Sequence, residues 1–144
     1  MLEKTKPLSR REGISPEGLK VLEETKLVGR QSKMLALVTA LGCKPIGDVD
    51  AETTATQKGG TVAKEFAGIM AGIGLHSAPN PFDQRRGDGW VIPSFVVSRS
   101  PELLADFTRD MAECDERGAY DARYHEILGR AMGYPETAIR AWNE

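Results

Sequence analysis

Cysteine and histidine are both scarce in this 144-residue chain. Only Cys43 and Cys114 are present, with no CxxC spacing, which excludes a disulfide framework and a zinc ribbon. In a reducing compartment both are plain thiols, with a bridge between them as the minor alternative. The two histidines, His76 and His125, do not stand in ligand spacing, so no metal and no cofactor is expected. Long apolar runs are absent too. No stretch approaches the roughly 18–20 residues that cross a bilayer, and Met1 to Glu12 lacks the apolar segment of a secretory signal. The expectation is a cytoplasmic protein without membrane contact. Nor is there a nucleophile elbow, a Ser–His–Asp arrangement or a paired-carboxylate motif. Ser94 and Ser98 lack the flanking glycines that such an elbow needs.

What is present suits one globular domain. The chain is 40% hydrophobic and 28% charged, ordinary values for a folded protein. At this length a single core can bury roughly two-thirds of the unfolded surface. We expect a loose N-terminal arm over 1–14 and one α+β domain over 15–144. The net charge is −2, but it is unevenly placed. Residues 1–33 hold eight Lys/Arg against five acids, and residues 100–144 hold five Arg against ten acids. That polarity could orient a charged protein partner. The acidic end argues against the extended basic face of a nucleic-acid binder.

Helix starts are clearly marked. Ser15-Pro16-Glu17 combines a capping serine, a proline suited to the first helical position and an acid at the positive end of the helix dipole. Ser100-Pro101-Glu102 repeats the signature. The first helix is predicted to run to about Val28, with Gly29 as its stop. A second covers 31–41, with Met34, Leu35, Leu37, Val38 and Leu41 as its apolar positions. Val62, Phe66, Ile69 and Ile73 mark one face of a third, and Gly68 and Gly72 in it suggest close approach of another backbone. Leu103, Leu104, Phe107, Met111 and Cys114 mark a fourth, ended by Gly118. Tyr124, Ile127, Leu128 and Ala131 mark another over 121–132, stopped by Gly133. Pro135 opens a last helix with Ile139 and Trp142.

Strands are fewer. A brief edge strand is predicted near 43–49, where Pro45 favours an edge. Trp90 to Ser98 is the clearest strand, apolar enough for burial on both faces, although Pro93 argues for an edge or a bulge. Residues 50–60 and His76 to Gly89 read as loops. The sum is a helix-rich α+β fold with a small mixed sheet, its strand order open and its helices on one face.

Three groups could carry function. Lys58-Gly59-Gly60-Thr61 precedes a helix, where exposed N–H groups and glycines favour an anion, although the spacing is not that of a P-loop. Arg85 and Arg86, beside Trp90 in a long loop, could hold a phosphate or stack a base, joined by Arg99. Asp121 and His125, one helical turn apart, could form an acid–base pair. Each has a plainer reading: a flexible turn, a solvated loop tip and a surface ion pair. From Pro93 to Trp142 the chain also resembles an uncharacterised family of small prokaryotic proteins. The likeness is carried by Leu128-Gly129 followed by Gly133-Tyr134-Pro135. The resemblance implies a packing corner: Gly133 at positive φ, Tyr134 packed, Pro135 starting a helix. Thr137 and Ala138 stand where that family has a pair of cysteines, so any metal or redox role of such a pair does not carry over.

The leading expectation is a small binding or regulatory module without catalysis, acting on a protein partner or on a second copy of itself. The alternatives are a small enzyme or sensor for a phosphorylated ligand such as a nucleotide, and nucleic-acid binding through the basic N-terminal third and the Arg85–Arg86 loop.

Overall fold

A computed structural model describes residues 14–52, 60–80, 94–116, 118 and 121–143. The elements run α1 (Pro16–Glu24), α2 (Arg30–Ala40), β1 (Gly47–Asp50), α3 (Gly60–Ala71), β2 (His76–Pro79), β3 (Ser94–Ser98), α4 (Pro101–Glu116), α5 (Ala122–Met132) and α6 (Glu136–Asn143). This is a helix-rich α+β domain around a three-stranded sheet of order β1-β3-β2.

The two proline-marked starts form as their residue types dictate. The Ser15 hydroxyl accepts from the Gly18 N–H at 2.9 Å, and the Ser100 hydroxyl accepts from the Leu103 N–H at 3.1 Å. Each satisfies a donor that the first helical turn leaves without a partner. At the other end of α1 the structure departs from expectation. The helix stops at Glu24, and Gly29 caps the start of α2. Leu27 and Val28 leave the helix because they are needed in the core, where Val28 bridges Ala51.

The sheet is antiparallel throughout where a mixed one was expected. β1 and β2 run in the same direction and are joined through α3, the connection that normally yields a parallel pair. Here β3 lies between them and pairs with both, with Val96 facing Asp48 on one side and Ala78 on the other. This is a split β-α-β arrangement. Two local readings change as a result. His76–Pro79, expected as loop, is an edge strand whose Pro79 sits at its end. β3 is central, and Pro93 lies outside the described residues.

Helices cover both faces of the sheet, not one. Val49, Phe95 and Val97 face α1, α2 and α3, together with Leu22, Phe66, Met70 and Ile73. Phe66 and Phe95 stack with ring centroids 4.2 Å apart. Val96 points the other way, onto Leu104, Phe107 and Met111 of α4 and Ala131 of α5. Alternate residues of a strand point to opposite faces, so a strand covered on both sides is apolar on both, as Phe95, Val96 and Val97 are. Its one buried polar side chain, Ser98, donates to the Pro45 carbonyl at 2.8 Å and accepts from the Ser100 N–H.

Three close approaches fix how the helices pack. A Cβ on Gly18 would run into the Gly72 carbonyl, so α1 crosses the end of α3 backbone to backbone. Gly72 serves the close approach expected of it, whereas Gly68 faces open space. In α2 the buried residues are small, Ala36, Thr39 and Ala40, and this lets the helix lie close on β1. Its larger residues Met34 and Leu41, two of the apolar positions marked by helical spacing, are exposed. At the α5–α6 corner Gly133 takes φ +80°, and the Tyr134 N–H donates to the Gly129 carbonyl at 2.9 Å. That bond closes the helix end in the Schellman manner. Tyr134 is largely exposed, and Gly129 provides the close contact, against Ile139 of α6. Arg130 links the same two helices through Glu126 and Glu136.

Candidate functional site

A cleft of about 440 Å³ opens between one end of the sheet and helices α4 and α5. Its floor and far wall are Val96, Phe107, Met111, Leu128 and Met132, with Tyr124 at the side. Val96, Phe107 and Met111 belong to the core cluster on that face, and Tyr124 and Leu128 pack against it, so the apolar wall is continuous with the interior. Its near end is polar and built from the three strands: Asp48 and Asp50 on β1, Ser94 on β3 and Asn80 just after β2.

Strand geometry gathers these four groups. Asp48 and Asp50 are two residues apart, so both carboxylates leave the same face of β1. Register places Asp50 opposite Ser94 and Asp48 opposite Val96. Asn80 is held beside them by its backbone N–H, which donates to the Ser94 carbonyl at 3.0 Å. Its side-chain amide donates to the Ser94 hydroxyl at 3.1 Å and to Asp48 Oδ1 at 3.4 Å. The Ser94 hydroxyl in turn donates to the same Asp48 oxygen at 3.3 Å. One carboxylate oxygen is thus held by Ser94 of the neighbouring β3 and by Asn80 just after β2.

Burial against the cleft walls pushes the Asp48 carboxyl above its ordinary value, and the negative charge of Asp50 pushes it the same way. Hydrogen bonds from Ser94 and Asn80 and the charge of Lys44 oppose the rise without cancelling it. Asp48 remains open to solvent over much of its surface, which limits the effect. A proton or another cation arriving at this end relieves the repulsion between the two acids. Carboxylates set against low-dielectric walls also concentrate their field within the cleft.

A second cleft, of about 510 Å³, lies on the other side of α5, between it and α6. It is mainly apolar and is lined by Tyr124, His125, Leu128, Gly129, Tyr134, Ala138 and Ile139.

Of the residues singled out from sequence, His125 lines this second cleft and meets Tyr124 edge to face at 5.2 Å. Asp121 is the N-cap of α5, its carboxylate accepting from the N–H groups of Arg123 and Tyr124 at 3.1 and 3.4 Å. Gly60 and Thr61 form the first turn of α3. Arg99 follows β3 at the end of the sheet away from Asp50. Because α3 turns into β2 through Gly72 to Leu75, Arg99 lies by the C-terminal end of α3. The first turn of α3 is therefore a helix length away, roughly 18 Å at 1.5 Å per residue. Lys58, Gly59, Arg85 and Arg86 lie outside the described residues. Among the described residues no group of three or more His, Cys, Asp or Glu could hold a metal ion. Both cysteines are free, Cys43 exposed and Cys114 buried. No helix among the described residues is long and apolar enough to cross a membrane.

Sequence reasoning missed the Asp48–Asp50 pair. The signal was there in Gly47-Asp48-Val49-Asp50, alternating buried and exposed residues. Ending the strand at Val49 hid it, because Asp50 then counted as loop. No known protein family, curated protein or solved structure compared with this chain matches it.

Proposed function

We propose that this protein is a binding module whose ligand is a small organic cation with an apolar body, held in the cleft between the sheet and α4–α5. One observation carries this reading: Asp48 and Asp50, with Ser94 and Asn80, close one end of a cleft whose remaining residues are apolar apart from the Tyr124 hydroxyl. Concave, mainly apolar sites of roughly 300–1,000 Å³ with a few convergent polar groups are the usual form of small-molecule sites. An ammonium or amidinium head would meet Asp48 and Asp50 through charge-assisted hydrogen bonds. Its hydrocarbon body would lie on Phe107, Met111 and Leu128. A hard metal ion favours six or more oxygen ligands, and two carboxylates on an apolar floor suit it less well. A phosphorylated ligand would meet two like charges in this cleft.

Thermal unfolding against a panel of organic amines and their neutral isosteres tests the reading. A ligand at 100 times its Kd stabilises by about 2.7 kcal/mol, a shift of several degrees at this size. The expected result is a shift with amines, absent with the isosteric alcohols and lost in the Asp48→Asn/Asp50→Asn double variant. Equal shifts for amines and alcohols, or no shift with any amine, would overturn it.

The raised Asp48 carboxyl beside Asp50 favours a second reading, acid–base chemistry on the bound ligand. Turnover of a bound amine that disappears in Asp48→Asn while binding survives would establish it.

A further inference from the structure

The geometry points to a long-chain alkylamine as the ligand class, its ammonium head between Asp48 and Asp50 and its chain running across α5 into the groove between α5 and α6. This deepens the reading above and rests on it for the position of the head. The new observation is that the two clefts share two walls. Tyr124 and Leu128 line both. They are four residues apart on α5 and so stand one above the other on a single stripe of that helix. Tyr124 and Leu128 thus form a ridge flanked by the two cavities, and a chain leaving the first cleft for the second would pass over these two side chains.

Beyond that ridge the groove offers hydrocarbon surface. Ile139 packs directly on Gly129, and these two line the groove with Leu128, Ala138 and Tyr134. The charged groups of this corner pair with one another outside the groove. Arg130 meets Glu126 at 2.7 Å and Glu136 at 2.9 Å, and none of the three lines the cavity. The path therefore runs from carboxylates at the sheet end to mainly apolar walls at the α6 end, with His125 among them. A ligand matching it has one cationic end and a long unbranched tail. An extended chain advances roughly 1.2 Å per bond, and a helix is about 10 Å across. A tail of about eight to ten carbons therefore reaches from the acids into the groove.

The test is the Kd of a series of n-alkylamines from butylamine to dodecylamine, by calorimetry on the full chain below micelle-forming concentrations. Each methylene that enters apolar surface tightens binding about fourfold. The expected series keeps tightening past hexylamine and levels off near decylamine, at one ligand per chain. Ala138→Trp, which fills the groove from an exposed position on α6, should leave butylamine unchanged and abolish the gain beyond hexylamine. Tyr134→Ala, which removes part of the groove lining, should weaken only the longer amines. A series that levels off at hexylamine in the wild type, or a dodecylamine affinity untouched by Ala138→Trp, overturns the long-chain inference and leaves the amine site standing. Decanol binding as tightly as decylamine overturns the cationic head instead.

Discussion

Asp48 is placed at a cost to folding. Its carboxyl is held above its ordinary value, so the folded state takes up a proton more readily than the unfolded chain does. For a carboxyl raised in this way, stability is highest below the unfolded value and is lost as pH rises through the folded value. Asp48→Asn keeps an oxygen to accept from Ser94 and Asn80 but carries no charge. The variant should therefore melt higher than the wild type at pH 7, and the difference should vanish near pH 3. Melting curves at the two pH values check this. A variant less stable at pH 7 would mean that the hydrogen bonds to Asp48 outweigh its burial. The expected gain in stability with loss of ligand is the trade that functional sites commonly show.

At the scale of elements, the crossing of α1 over the end of α3 separates two glycines that look alike in sequence. Ala is favoured over Gly within a helix by about 0.8–1 kcal/mol. Gly68→Ala, in α3 with open space around it, should gain about that much and raise the melting temperature by a few degrees. Gly18→Ala meets the Gly72 backbone, and overpacking of this kind costs about 1–3 kcal/mol. It should lower the melting temperature despite the better helix propensity. A stabilised Gly18→Ala would show that the crossing yields at little cost.

The same scale shows what could be read in advance. Every helix was legible, because caps and apolar spacing are local signals: Ser15, Ser100, Gly133 and the stripe Val62, Phe66, Ile69, Ile73 all stand where they were expected. The inward face of α2 was not. The apolar spacing marks Met34, Leu35, Leu37, Val38 and Leu41, whereas close packing on β1 selects Ala36, Thr39 and Ala40. β2 was invisible because His76-Ser77-Ala78-Pro79 has little strand character of its own and is held by its pairing with β3. The candidate site was hidden for a related reason. Asp48, Asn80 and Ser94 are brought together only by the strand order, and no local pattern encodes that order.

For the molecule as a whole, stability should fall off outward from the sheet. β3 is paired on both edges and covered on both faces, while α6 packs against α5 at the periphery. Native-state hydrogen exchange should show the Phe95 to Val97 amides opening only with global unfolding and those of α6 opening locally at much lower free energy. Equal protection in the two would place α6 within the main cooperative unit and would argue against a groove that admits ligand at its edge.

The insertion of β3 between β1 and β2 also sets the order of assembly. The strand that joins the other two is the last of the three to be made. Until it arrives, β1 and β2 run side by side in direction with no partner between them, and each presents unpaired backbone on the side where β3 will lie. The sheet therefore nucleates late, on contacts 16 to 50 residues apart in the chain. Such pairings carry loop-closure entropy that slows folding relative to the local helices. The early helices α1 to α3 cover one face of the sheet, and α4 and α5, which follow β3 in the chain, cover the other. The cleft, which takes side chains from β1, from β3 and from the residue after β2, forms only once that pairing and the two helices that follow it are in place.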